Sequence, residues 1–225
     1  MITQTDAGKT PARRLTRGPS AGWYAPLLSG PQSTRSVPVI LCILATFAIG
    51  ALTGVMSADW ATSGRPPLGA LSIGSWVTWP ALGGRDVDPY ARAITVRSGA
   101  LPLGTGEGLE FLAARDDAGR PLEASCSYMV GGAMPTARAW TLTVYDTAGR
   151  THGGRAGLTS AEVLREPNGE ALIALSRRAS PGNWLPLPPV GRFVLALRLY
   201  DSPQSADAAA IEPAAMPRIV RGDCT

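Results

Sequence analysis

Residues Phe193-Val194-Leu195-Ala196-Leu197-Arg198-Leu199-Tyr200 decide the fold class. Phe193, Leu195, Leu197 and Leu199 recur with a period of two, and Val194, Ala196, Arg198 and Tyr200 fall between them. Alternate side chains of an extended chain point to opposite faces, so this spacing gathers four large apolar groups on one side of a strand. Ala139 to Asp146 repeats the pattern, with Trp140, Leu142 and Val144 alternating against Thr141, Thr143 and Tyr145. β-branched and aromatic side chains suit such a pleated, half-buried surface.

Outward from these two stretches the chain continues in short strands and turns. Gly108 to Arg115 and Leu122 to Val130 flank Asp116-Asp117-Ala118-Gly119-Arg120, a turn-rich connection of the kind that closes a hairpin. Ala171 to Ser176 reads as a strand, followed by a turn at Pro181-Gly182-Asn183. Ser202 to Ala215 reads as a long loop and Arg218 to Val220 as a short closing strand. One helix is signalled: Asp88 as N-cap, Pro89 in the first turn, Tyr90, Ala93, Ile94 and Val96 for packing, and Gly99 as stop. Thr159 to Arg165 suits a short helical turn. The 26 Gly and 20 Pro are scattered along the chain, which favours many turns over long helices. The fold class expected is mainly β, a jelly-roll-like β-sandwich with one or two short helices, preceded by a single transmembrane helix.

That transmembrane helix is read from Val37 to Ala58, which contains no charged side chain and is bounded by Arg35 and Asp59. At ~1.5 Å per residue it can cross a hydrocarbon layer of ~30 Å. Gly50 and Gly54 form a small-xxx-small pair that a second helix could pack against. Ahead of the span stand Lys9, Arg13, Arg14, Arg17 and Arg35 against Asp6 alone, and this accounts for the whole net charge of +4. The remainder is neutral, which removes the electrostatic case for nucleic-acid binding. Basic residues before the span and a neutral stretch after it put the N-terminus in the cytoplasm and the C-terminal domain in the periplasm of a bacterial inner membrane. The rival is a cleaved signal peptide, whose n-region is rarely so long. The expected organisation is a flexible basic tail over 1–36, the span over 37–58, a linker over 59–75 and a periplasmic β domain over 76–225.

Cys42 lies inside the span, and Cys126 and Cys224 lie beyond it. Two thiols in one exported domain are expected to pair in an oxidising compartment. The only histidine is His152 and no CxxC occurs, so neither a metal nor a cofactor is expected.

A resemblance rests on several motifs in order. These are Trp79-Pro80, Asp88-Pro89-Tyr90-Ala91-Arg92-Ala93, Leu101-Pro102-Leu103-Gly104 and Glu107-Gly108. Trp140-Thr141-Leu142-Thr143-Val144-Tyr145-Asp146, Asn183-Trp184-Leu185-Pro186 and Arg198-Leu199-Tyr200-Asp201 follow. The chain resembles, over about residues 70 to 224, the small membrane-anchored bacterial family catalogued as domain of unknown function 1214. The resemblance implies that larger relatives carry a second jelly-roll-type β domain, and that in small anchored versions this companion is a separate membrane protein. It carries over no catalytic residue.

Chemistry is weakly signalled. His152 sits in a Gly-rich turn without a nucleophile elbow, and Gly104 to Gly108 lacks the lysine of a phosphate loop. Asp86 with Asp88, or Glu107 with Glu110, could act as acid and base only if burial separated their pKa values. More suggestive are Trp140, Tyr145, Trp184, Arg198, Tyr200 and Asp201, a set able to meet a ligand or partner. Against this stands a plainer reading: the tryptophans plug the ends of the sandwich, Trp184 closes the core from a turn, and Arg198 pairs with an internal carboxylate. The function expected is non-enzymatic binding of a companion envelope protein. The alternative is an enzyme or carbohydrate- or lipid-binding module acting on envelope glycans or lipids.

Overall fold

In the computed structural model, which describes residues 36–66, 68–152 and 154–224, the stretch rich in leucine becomes β9 (Phe193–Tyr200) at the middle of a sheet. It pairs along its length with β3 (Gly108–Ala113) on one side and β5 (Ala139–Asp146) on the other, both antiparallel. Beyond β3 lie β2 (Trp76–Thr78) and β1 (Leu71–Ile73), and beyond β5 lies β6 (Gly157–Thr159), giving the order β1-β2-β3-β9-β5-β6. A second sheet holds β10 (Arg218–Cys224), β4 (Cys126–Gly132), β7 (Ala171–Ser176) and β8 (Asn183–Pro186), in the order β10-β4-β7-β8. All its pairs are antiparallel except β7 with β8, which run parallel.

The two sheets share one core. Leu109, Phe111, Trp140, Leu142, Leu195 and Leu197 enter it from the larger sheet, and Tyr128, Val130, Ile173, Leu175, Leu185 and Ile219 from the smaller. The ring of Tyr128 meets that of Phe193 edge-on, with centroids 5.5 Å apart. Each large side chain removed from water contributes roughly 1.5–3 kcal/mol, which is what selects this pairing of faces. The domain is a β-sandwich preceded by one long helix.

Several local expectations change. The turn at Asp116 forms, but its flanks separate: β3 stays in the larger sheet and β4 joins the smaller, leaving a single bridge between Arg115 and Pro121. The connection crosses between layers because Leu122, Ala124 and Tyr128 find their apolar partners in the inter-sheet core. Thr159 to Arg165 is not helical. Thr159 ends β6, and the Glu162 carboxylate accepts from its amide and hydroxyl at 3.0 Å each. Asn183 to Pro186 is a strand rather than a turn, and β10 runs on to Cys224.

The stretch 59–75 is structured at both ends, since α1 (Ser36–Thr62) continues past Asp59 and β1 begins at Leu71. Within α1 the hydroxyls of Thr46 and Thr53 donate to the carbonyls of Cys42 and Ile49, so even its polar side chains are satisfied inside the helix. Val37–Thr62 is long and apolar enough to cross a membrane. The tail expected over residues 1–36 lies, except for the backbone at Ser36, outside the described residues.

Helix α2 (Pro89–Ser98) forms as signalled. The Asp88 carboxylate accepts from the amides of Tyr90 and Ala91 at 2.9 and 3.2 Å, and Gly99 ends the helix in the left-handed conformation. Its buried face is Ala91 and Ile94, one turn apart, whereas Tyr90 and Val96 are exposed. With Ala91 and Ile94 turned inward, a period of 3.6 places Val96 on the opposite side.

Candidate functional site

The outward side of β9 carries Arg198, directly opposite Glu110 of β3 and Thr141 of β5. Its guanidinium lies 2.6 Å from Glu110 Oε1, donates to Tyr145 Oη at 3.1 Å, and sits 5.7 Å from the centre of the Tyr145 ring. Burial alone would lower the Arg198 pKa, but the Tyr145 hydroxyl and the Glu110 charge outweigh it and raise the value. The arginine is thus satisfied by its own chain, as the plainer reading of the sequence holds. Tyr200 follows on the same face, opposite Gly108 and Ala139. Asp201, with φ of 48°, turns the chain away and is exposed, 3.8 Å from Arg138.

The other two candidates lie elsewhere. Trp140 is buried in the inter-sheet core and cannot meet a ligand, which corrects its reading as a site residue. Trp184 belongs to the smaller sheet and is only half-buried, its indole N–H shared between the carbonyl and hydroxyl of Ser176 at 3.2 and 3.0 Å. Leu185, not Trp184, closes the core at this point. Trp140 and Trp184 therefore lie apart from the outward face of β9, where Arg198 is joined to Tyr145 and Tyr200 follows two residues on.

A different surface emerges on the outward face of the smaller sheet. Val220, Met129, Ala174 and Trp184 are paired in register across all four strands, a single apolar row. Leu172 lies beside it, opposite Gly131, which in turn is opposite Arg218. Met129 is 43% exposed, Leu172 42% and Val220 49%, so large apolar groups face water where polar ones are usual. Gly131 is required here: a Cβ would meet the Ala171 carbonyl and the Leu172 side chain, each at 2.6 Å. The signal in the sequence was the lack of alternation in Tyr128-Met129-Val130 and Ala171 to Leu175, where both faces are apolar.

Three of the four acidic candidates are engaged in structure. Asp88 caps α2, Glu110 holds Arg198, and Glu107 accepts from the Gly104 amide at 3.2 Å. Asp86 and Glu107 border an open depression of about 810 Å³ together with Arg85 and Thr105. His152 lies 2.8 Å from Asp146, which also accepts from the amides of Ala148 and Arg150 and from the Arg150 side chain. These bonds, the Arg150 amide first and His152 next, hold the Asp146 carboxyl well below the usual range. Asp146 ends β5, so the cluster closes the turn that follows that strand.

Fold and surface together define a two-sheet β-sandwich, led by a helix of membrane-spanning length, with an apolar outer face on its smaller sheet. Residues 107–204 match the family model described as Protein of unknown function (DUF1214), and this part of the chain is similar to that family. The match includes β3 to β9 and stops short of β10. Among solved structures, the VPA0106 protein from Vibrio parahaemolyticus is 21% identical with a TM-score of 0.48, over 61% of this chain and 36% of that one. An uncharacterised protein from Burkholderia cenocepacia is 22% identical with a TM-score of 0.37, over 57% of this chain and 33% of that one. The chain thus spans about a third of the length of each. No curated protein matches the sequence.

Proposed function

We propose that this is a single-pass inner-membrane protein, N-terminus in the cytoplasm, whose periplasmic β-sandwich binds a companion envelope protein carrying the sister β domain. The observation that carries the reading is the apolar row Val220, Met129, Ala174 and Trp184, exposed at Val220 and Met129, with exposed Leu172 beside it. An apolar sheet face of this kind gains most by covering another apolar face. Arginines gathered ahead of the span support the orientation, and the bond between Cys126 and Cys224 suits an oxidising compartment. The family resemblance supplies the occupant, a second β domain that larger relatives carry in the same chain. Binding is favoured over glycan or lipid chemistry because Trp140 is inside the core and Tyr145 and Trp184 hold Arg198 and Ser176.

The test places a photo-crosslinking residue at Met129 of the full-length protein in native membranes. A cross-link to a small membrane protein whose sequence carries the sister domain is the expected result, abolished by Leu172→Glu at an unchanged unfolding midpoint. A cross-link only to a second copy, to unrelated proteins, or to nothing overturns the proposal.

A further inference from the structure

The last turn of α1 and the C-terminal half of α2 are joined by Arg97. Its Nη2 donates to Asp59 Oδ1 at 2.5 Å and its Nη1 to Thr62 Oγ1 at 2.9 Å. Asp59, Thr62 and Arg97 belong to one compact unit, Val55–Thr225. Asp59 is the first charged residue after the apolar stretch that begins at Val37. Where such a helix crosses a bilayer, that residue sits at the level of the lipid headgroups, because a carboxylate deeper in hydrocarbon is costly. Arg97 is bonded to it, so the C-terminal end of α2 lies near the same level.

The surface at this level is unusual in composition. Trp60 is 83% exposed, Val96 75% and Leu101 93%, three large apolar side chains bared within a short distance of Asp59 along the chain or across the Arg97 bridge. On α2 the buried face is Ala91 and Ile94, while Arg92 and Val96, four residues apart, share the opposite side. Arg92 donates to the Arg85 carbonyl at 3.1 Å and both arginines are exposed. Exposed apolar side chains interleaved with arginines are the chemistry of an interfacial helix, apolar groups entering the acyl boundary and guanidinium groups meeting phosphates. A tryptophan at the end of a span has the same preference.

We propose that α2 and residues 99–101 rest on the lipid headgroup layer, with Val96 and Leu101 inserted and Arg85 and Arg92 on the phosphates. The sandwich is then fixed to the membrane at two places, the span and this platform. The inference rests on α1 crossing a membrane, but on neither its direction nor the protein partner.

It is tested in the full-length chain carrying Cys42→Ala, reconstituted in nanodiscs of phosphatidylethanolamine and phosphatidylglycerol with brominated acyl chains. A single cysteine is introduced at Leu52, Val96, Leu101 or Leu172 and labelled with an environment-sensitive fluorophore. Brominated lipid is expected to quench about half or more of the emission at Leu52, Val96 and Leu101, and to leave Leu172 unchanged. Quenching at Leu52 alone overturns the platform while leaving the span intact. Absence of quenching at Leu52 removes span and platform together, and quenching at Leu172 shows that the sandwich meets lipid by another face. The positions at Val96 and Leu101 are exposed, so labelling them does not disturb the fold.

Discussion

Asp116 is buried, yet it carries two arginines. Its carboxylate accepts from Arg120 Nε and Arg221 Nε at 3.0 Å each, and from the amides of Ala118 and Arg120 at 3.0 and 2.9 Å. Burial pushes its pKa up, but the Arg120 amide, then the charge and hydrogen bond of Arg120 and the charge of Arg221, together bring it below the usual carboxylate range. Arg221 also donates to the Pro121 carbonyl and lies over the Tyr128 ring. Removing the acid strands this nearly buried cation, which costs about 3–5 kcal/mol. Asp116→Ala is therefore expected to lower the unfolding free energy by that order in a urea titration. Because the folded pKa is depressed, the stabilisation is complete above the unfolded value of about 4 and is lost as pH falls through the folded value. Asp116→Asn should flatten that acid-side loss, measured as unfolding midpoint against pH below about 4. The turn from Asp116 to Arg120 was legible because its residues are adjacent. Arg221 was not, since it arrives from 105 positions away on β10.

At the scale of elements, β9 and β5 were readable because their period of two comes from one buried face and needs no knowledge of neighbours. β8 was hidden by its length: four residues ending in proline resemble a turn. It runs parallel to β7 after a connection of only six residues, 177–182, with Ile173 opposite Asn183. Parallel neighbours usually need a dozen or more connecting residues. Here the chain has only to drop back from Ser176 to the level of Ile173, about 10 Å at a strand's rise per residue. Asn183 fixes that landing. Its Nδ2 donates to the carbonyls of Leu164 and Leu172 at 2.7 and 3.0 Å, and its Oδ1 accepts from the Leu164 amide at 2.7 Å. No local pattern announces an amide serving two distant segments. Asn183→Ala removes all three bonds to these part-buried backbone groups, and a loss of about 1–3 kcal/mol is expected in thermal unfolding. Equal stability of the variant, with β8 amides still protected from hydrogen exchange, would refute this role. The apolar outer face depends on β8 as well, so the variant should also reduce cross-linking from Met129.

At the scale of the whole molecule, Cys126 of β4 and Cys224 at the end of β10 are bonded across a sequence separation of 98. In the chain-entropy account a loop near this length contributes up to about 4.7 kcal/mol by restricting the unfolded state, and typical measured values are about 2–4. β10 does not rely on the bond for its place. Its first four residues pair with β4 from Arg218 to Arg221, Asp117 donates its amide to the Ile219 carbonyl, and the buried indole of Trp76 donates to the Pro217 carbonyl. The ladder shifts register between Arg221 and Cys224, so the bond holds the segment where backbone pairing weakens. Cys126→Ser with Cys224→Ser is thus expected to fold, with stability lowered by about 2–4 kcal/mol. Loss of hydrogen-exchange protection should begin at residues 222–224 before reaching Ile219, because only the former depend on the covalent tie. In the native protein, reduction should change mobility on a denaturing gel, and thiol labelling without reductant should reach Cys42 alone. Labelling of Cys126 and Cys224 in protein taken directly from membranes would mean that the bond is absent in the cell, and the compartment proposed for the sandwich would fall with it.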